Sequence, residues 1–425
     1  MTTLLVITIV ICALCGAPLF IIFGALAMLM FAINGIDTQA VIIEMLRMAS
    51  APTLIAIPLF TFAGYLLAES KSPQRLVNLY RALFGWMPGG LAICAFVICA
   101  FFTSFNGASG VTIIAIGGLI YPLLIQQGYN ERFSLGLLTT GGSLGLLFPP
   151  SLPLILYALM AQVNVDALFL AGIVPGLFLI LLLSLYSVRA GFKFKVERQP
   201  FDPRLVWPAI KGAAWILPLP FLILGGIYGG FFAASEAAAV TVFYVLFVEL
   251  FIYRDLKLTR DIPRIATESM ILVGGVLVIL GCALGFTNFL VDQQVPMKIL
   301  EYMRQFISSK LVFLLALNVF LLIVGCLMDI FSAIIVVVPL IAPIAKEFGV
   351  NPIHLGIIFL TNLEIGYIHP PLGLNLFISN LRFKKSILQL SVAVLPFLAI
   401  LLTALIVITY VPDLSLWLVN LFGKN

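Results

Sequence analysis

Charge is what this chain most lacks. Only 10% of its residues are Asp, Glu, Lys or Arg, where a soluble domain carries about 25%. Histidine is nearly absent, with His354 and His369 the two in the sequence. There is no His-Glu-x-x-His, no paired Cys-x-x-Cys set, no Gly-x-x-x-x-Gly-Lys cradle and no Ser-His-Asp arrangement. These absences argue against a zinc hydrolase and against an ATP-driven motor on this chain. The few acids within apolar runs are not paired as a protease or hydrolase needs, so the chain does not read as an enzyme. No Lys or Arg falls at the centre of a predicted span. The six cysteines all lie in apolar runs, and Cys12 and Cys15, although spaced like a redox pair, read as small hydrophobes. A net charge of +5 gives no reason to expect nucleic acid, because the basic residues sit in loops beside the membrane.

What is present is hydrophobic sequence, 62% of the chain, with a mean hydropathy of +1.19. The class is an all-α polytopic membrane protein. The run over 4–33 is too long for a cleaved signal peptide and has no basic leader, so it reads as a retained span. About 20 apolar residues cross a bilayer. That length predicts spans over 3–33, 51–69, 131–160, 168–190, 212–231, 233–253, 266–290, 352–380 and 386–410. Two further stretches, 88–125 and 310–346, are apolar but broken at their centres. The first breaks over 103–110 and the second near 325–329. Both read as re-entrant helical hairpins, whose broken backbone must be covered by protein or line a cavity. Segments 38–50 and 72–84 mix apolar and charged positions and suit the membrane surface.

One pattern occurs twice, 221 positions apart. Pro122, Gly128, Asn130, Gly145 and Pro149-Pro150 return as Pro343, Gly349, Asn351, Gly366 and Pro370-Pro371. Each Pro-Pro pair breaks a helix that should continue, so Pro149, Pro150, Pro370 and Pro371 are structural helix breaks. Two broken helices at matching places in two halves point to a solute site at mid-membrane. Five spans lie between the hairpins, an odd number, so the hairpins enter from opposite faces and the repeats are inverted. If the first hairpin opens to the cytoplasm, most of the 23 basic residues fall in cytoplasmic loops, as the positive-inside rule expects. The N-terminus is then inside and the C-terminus outside. The predicted organisation is a first repeat over 1–190 and a cytoplasmic connection with a linking helix over 191–232. A second repeat over 233–410 and a short tail over 411–425 follow.

Polar residues at the breaks are the candidate site. Ser104, Asn106, Gly107 and Ser109 form the first hairpin tip, facing Thr140, Gly142, Ser143, Gly145 and Ser151 of the broken helix. The second set is Gly325 and Asp329 with Thr361, Asn362, Glu364 and Gly366, and then Asn375. Carbonyl, amide and hydroxyl oxygens suit Na⁺, and exposed helix amides suit an anion. A cation is assigned to Asn106, Gly107, Ser109, Thr140 and Gly145, and to Gly325, Asp329, Thr361, Asn362, Glu364 and Gly366. Solute is assigned to Ser104, Asn106, Ser109, Gly142, Ser143, Ser151, Asn362 and Asn375. Two related cages imply at least two Na⁺ ions and no organic cofactor. The competing reading is close packing of small polar residues. For Glu364 it is a hydrogen bond that locks the broken helix. Asp329 and Glu236 also read as helix caps, and His354 and His369 as structural.

These residues resemble the large membrane subunit of tripartite ATP-independent periplasmic transporters, the DctM type. The resemblance rests on Asn362-Leu363-Glu364-Ile365-Gly366, Pro370-Pro371-Leu372-Gly373-Leu374-Asn375, Asn106-Gly107-Ala108-Ser109-Gly110 and Ser235-Glu236-Ala237-Ala238-Ala239. It covers essentially the whole chain. Phe231-Phe232-Ala233-Ala234 departs from the threonine-rich stretch more usual before that glutamate. The resemblance implies Na⁺-driven import of an organic acid, such as a dicarboxylate, sialic acid or another sugar or oxo acid. It implies an elevator mechanism in a bacterial inner membrane, among membrane lipid. It also implies a periplasmic substrate-binding protein and a small four-helix membrane subunit, here expected on a separate chain. The alternatives are a stand-alone Na⁺-coupled carboxylate transporter of related architecture, or an ion antiporter.

Overall fold

The computed structural model describes residues 8–9, 11–12, 17–35, 37–49, 51–197, 200–307 and 309–422. Among them every regular element is helical. The first half runs α1 (Leu19–Ile33), α2 (Gln39–Ala49), α3 (Pro52–Glu69), α4 (Ser72–Phe84), α5 (Gly90–Asn106) and α6 (Ser109–Gln126). It continues with α7 (Glu131–Gly141), a 3-10 turn (Leu144–Leu147), α8 (Leu152–Ala161) and α9 (Val165–Lys193). Then come α10 (Pro203–Ala213) and α11 (Leu219–Tyr228). The second half has α12 (Ala234–Phe247) with a π turn (Val248–Ile252), α13 (Asp261–Asp292), α14 (Val295–Arg304), α15 (Lys310–Leu327) and α16 (Ile330–Glu347). It ends with α17 (Pro352–Gly366), α18 (Leu374–Phe383), α19 (Ile387–Tyr410) and α20 (Asp413–Phe422).

Local chemistry sets these boundaries. Asn130 caps α7 by accepting from the Arg132 amide at 2.8 Å, and Asn351 caps α17 by accepting from Ile353 at 2.8 Å. Both follow a glycine in the left-handed region, Gly128 and Gly349. The Pro149-Pro150 and Pro370-Pro371 peptides are both cis and separate α7 from α8 and α17 from α18. The turn between α5 and α6 falls at Gly107, at φ +64°, a conformation that glycine adopts at no steric cost.

Seven described helices are long and apolar enough to cross a membrane, or up to nine if each of two bent pairs counts once. The arms Ser109–Gln126, Lys310–Leu327 and Ile330–Glu347 are among the seven. Length alone therefore does not separate a hairpin arm from a full span. Three expected elements differ. The linking helix predicted over 212–231 is Leu219–Tyr228, 10 residues. Pro218 and Pro220 confine it, because proline is tolerated only in the first turn. Segment 38–50 forms a helix, but it packs on α13, with Val41 and Met45 against Gly285 and Gly281, rather than only lying on the surface. The side chains of Glu44 and Arg47 lie outside the described set, as does Cys15. The tail carries α20, which packs on α9.

Contacts sort the connections into two ends. At one end Arg75 pairs with Asp255, Arg264 with Glu69 at 2.8 Å, and Lys385 with Glu131 at 2.7 Å. The Glu197 amide donates to Gln127 O there, at the foot of α6. At the other end Lys310 Nζ donates to Gly349 O at 2.7 Å, and Tyr157 to Pro352 O at 2.9 Å. The long helix α19 separates these ends: Glu131, bonded to Tyr121 near the foot of α6, pairs with Lys385 at its start, and Tyr410 at its close donates to Leu311 O at the foot of α15. The second arms are exchanged between halves: α6 packs on α18 and α16 packs on α8.

Candidate functional site

The hairpin tips pack against the breaks. Gly145 presses on the first arm of its hairpin so closely that a Cβ there would sit 2.3 Å from Ala100 O and 2.5 Å from Ser104 N. Gly366 does the same to the other hairpin, 2.5 Å from the Gly325 carbonyl carbon. Gly107 rests on Leu152 at the start of α8. Tyr367 OH accepts from the Ile330 amide at 2.6 Å, tying the second tip to its broken helix.

In the first half the hydroxyls and amides bond to one another. Thr103 Oγ1 donates to Gly142 O at 2.8 Å and lies 2.7 Å from Thr112 Oγ1. Asn106 Nδ2 donates to Thr112 Oγ1 at 3.2 Å, and Asn106 Oδ1 accepts from the Ala108 amide at 2.9 Å. Ser104 bonds back to Phe101 O at 2.8 Å. Ser109 Oγ donates to Asn375 Oδ1 at 2.7 Å, and Asn375 Nδ2 donates to Thr139 O at 3.1 Å. Asn375 was expected beside the second tip and instead completes the first cluster, because α18 folds back against α6 and α7. Thr139 to Ser379, at 2.8 Å, fastens the same junction.

The second half is built otherwise. Asn362 Nδ2 donates to Asn318 Oδ1 and to Ile358 O, both at 2.8 Å, and Asn318 Nδ2 donates to Thr409 Oγ1 at 3.0 Å. Thr361 bonds back to Ile357 O at 2.7 Å. Glu364 is 1% exposed, yet neither carboxylate oxygen meets a donor among the described residues. The locking hydrogen bond offered as its bland role is thus not formed. Asn362 Oδ1, Thr140 Oγ1 and Ser151 Oγ are buried and unpartnered in the same way. Unsatisfied groups at this depth are rare and call for an explanation. Asp329, expected among the cation ligands, spends its oxygens on capping: it accepts from the Phe331 and Ser332 amides at 3.0 and 3.1 Å and from the Ser332 hydroxyl. Glu236 Oε2 accepts from the Ala233 amide at 2.9 Å, the capping role expected of it. His354 bonds Ser415 Oγ and Thr409 O at 3.2 Å each and is structural.

The halves meet where Ser143 Oγ reaches Glu364 O at 3.5 Å, two residues 221 positions apart. Sequence reading missed Thr103, Thr112 and Asn318. An asparagine in the middle of an apolar arm was the one available signal, since polar side chains there are costly without a partner. Thr61 on α3, also buried and unpartnered, was missed as well. Among the described residues no three His, Cys, Asp or Glu side chains gather as a metal site.

The chain matches the family model for the tripartite ATP-independent periplasmic transporter, DctM component, over residues 4–414. It is 38% identical to the C4-dicarboxylate large permease protein DctM of Pseudomonas aeruginosa, covering 95% of this chain and 94% of that one. It is 30% identical to the ectoine large permease protein TeaC of Halomonas elongata, over 99% of both chains. The solved structure of the Alcanivorax borkumensis YdaH transporter superposes with a TM-score of 0.60 at 15% identity, over 88% of this chain and 86% of that one. The chain therefore belongs to the DctM family of tripartite ATP-independent periplasmic transporters and is a multi-pass membrane protein.

Proposed function

We propose that this chain is the large permease of a Na⁺-coupled transporter and carries an organic acid anion inward by an elevator movement. The observation that carries the reading is the paired contact of each hairpin with its own broken helix. Gly145 on Ser104 and Gly366 on Gly325 occupy equivalent places in the two halves. With the hairpin feet at opposite ends, this supports a reading of inverted repeats around a mid-membrane site. The packing of each tip on a helix break, rather than its emergence beyond one, favours re-entrant arms over full spans, which the arm lengths leave open. Na⁺ is held by oxygens: Asn106, Gly107, Ser109, Thr140 and Gly145 in the first half, and Gly325, Thr361, Asn362, Glu364 and Gly366 in the second. The orphaned oxygens of Glu364, Asn362 and Thr140 fit that role. The solute anion lies against Ser104, Ser143, Ser151 and Asn375, where helix amides and hydroxyls supply donors.

The partners are a periplasmic binding protein that delivers solute and a small membrane subunit that buttresses the scaffold. The basic end faces the cytoplasm of an inner membrane. No step makes or breaks a covalent bond. The similarity to permeases named for C4-dicarboxylate and for ectoine leaves the solute open. The test is uptake into liposomes with both partners, comparing Na⁺ and proton gradients across a panel of organic acids. Solute entry that ignores the Na⁺ gradient, or that needs no binding protein, would sink the proposal.

A further inference from the structure

Outside the proposed transport site, a cavity of about 370 Å³ lies between α4 and α10. Asn78, Arg81, Trp86, Phe201, Asp202 and Leu205 line it. The inner face of α4 is buried through Leu76, Val77 and Leu79, while its outer positions meet α10. On α10 the usual order is reversed. Leu205 and Trp207 are 61% and 64% exposed, beside Arg204 and Lys211. Lys211 Nζ lies 5.9 Å from the centre of the Trp207 ring. Trp86 lines the cavity and Trp207 stands on α10, and both are exposed.

Apolar side chains projecting beside cations are the pattern of a helix lying in the headgroup layer. Tryptophan favours the same depth. The charges select the sign of the headgroup. No described residue pairs with the Arg81 guanidinium, whereas Asp202, the one acid lining the cavity, accepts from the Arg204 amide at 2.9 Å as the cap of α10. Arg81 in the recess and Arg204 and Lys211 on α10 beside it thus leave a positive surplus.

We propose that the recess between α4 and α10 is a binding site for the headgroup of an anionic phospholipid, with Arg81 as its principal contact and Trp86 and Trp207 set against the glycerol and upper acyl region. It does not depend on the transport reading. The test uses the full chain in phosphatidylcholine vesicles titrated with brominated phosphatidylglycerol, which quenches nearby tryptophan, against brominated phosphatidylcholine. Wild type should prefer the anionic lipid, and Arg81→Gln should reduce that preference about five-fold, the usual effect of one basic residue at a charged surface. Arg204→Gln with Lys211→Gln should reduce it further. Lys298→Gln, at the opposite end, should leave it unchanged. Trp207→Phe should remove part of the quenching and so place the lipid. Equal quenching by the two lipids, or a preference indifferent to Arg81, would overturn the site. So would full competition by inorganic phosphate, which would make it a soluble-anion site.

Discussion

Placed in register at an offset of 221 residues, the two hairpin tips share geometry and differ in chemistry. Thr103, Ser104, Asn106, Ser109 and Thr112 of the first stand where the second has Val324, Gly325, Leu327, Ile330 and Ala333. The broken helices reverse the balance, with Gly141 and Ser143 against Asn362 and Glu364. The first half thus places most of its polar side chains on the tip, where they bond to one another and to Asn375 of the second half. The second keeps only Asp329 and Ser332 as polar side chains at its tip, bonded to each other, and puts a buried, unpartnered carboxylate on the helix behind it. A shared backbone frame fixes where the breaks fall. Side chains then decide which break carries an acid and which offers neutral donors.

The common frame can be attacked first, and the largest effect is expected there. Gly145→Leu and Gly366→Leu each place a side chain where even a Cβ would be within 2.5 Å of a hairpin backbone atom. Overpacking of this kind costs about 1–3 kcal/mol or more when backbone must move, and each variant should lose at least about tenfold of its uptake per molecule in the membrane. Initial uptake rates normalised to folded protein give the comparison. Normal transport by either variant would mean that the two contacts are not equivalent.

The chemical difference predicts a smaller and unequal effect. Glu364→Gln keeps the shape and removes the charge. Its apparent Na⁺ affinity should fall about tenfold, near 1.4 kcal/mol. Ser143→Ala, at the matching place, should shift it by less than about threefold, as for a neutral hydrogen bond. Equal shifts would erase the assignment of charge to the second half. Ser109 and Asn375 test the joint between halves. Singly changed to alanine, each should lower the uptake rate by about fivefold, and the double variant should be no worse than either, a coupling near 1 kcal/mol. Additive losses would show that the 2.7 Å bond is not what joins hairpin and α18.

The frame was readable because its signals are local. Pro-Pro, Gly128 with Asn130, and Gly349 with Asn351 each act within a few residues, so their spacing carried directly into helix ends. The first-tip residues were equally plain, as polar groups in an apolar run. What could not be read depends on packing. Asn375 joins the first tip across 266 positions, and no local pattern encodes that. The continuous α13 corresponds to the separate α2 and α3 of the first half, where the chain turns at Ala51 and Pro52. The linking segment was read as one span because its apolar content outweighed Pro218 and Pro220, although the ring of each bars it from a helix interior.

Asp329 carries the smallest expected effect and the sharpest bearing on the second half. It is the one acid at either tip, standing where the first half has Ala108, and a site read from composition alone would enlist it. Its geometry assigns it elsewhere. Both oxygens serve the first turn of α16, through the Phe331 and Ser332 amides and the Ser332 hydroxyl, where a negative charge also complements the helix dipole. Asparagine caps nearly as well. Asp329→Asn should therefore cost under about 1 kcal/mol in thermal stability and leave the Na⁺ dependence of uptake as in wild type. Measured beside Glu364→Gln, it separates the two carboxylates of this half. A Na⁺ shift as large as that of Glu364→Gln would move the cation from the broken helix to the hairpin tip, and the chemical contrast between the halves would have to be redrawn around α15 and α16.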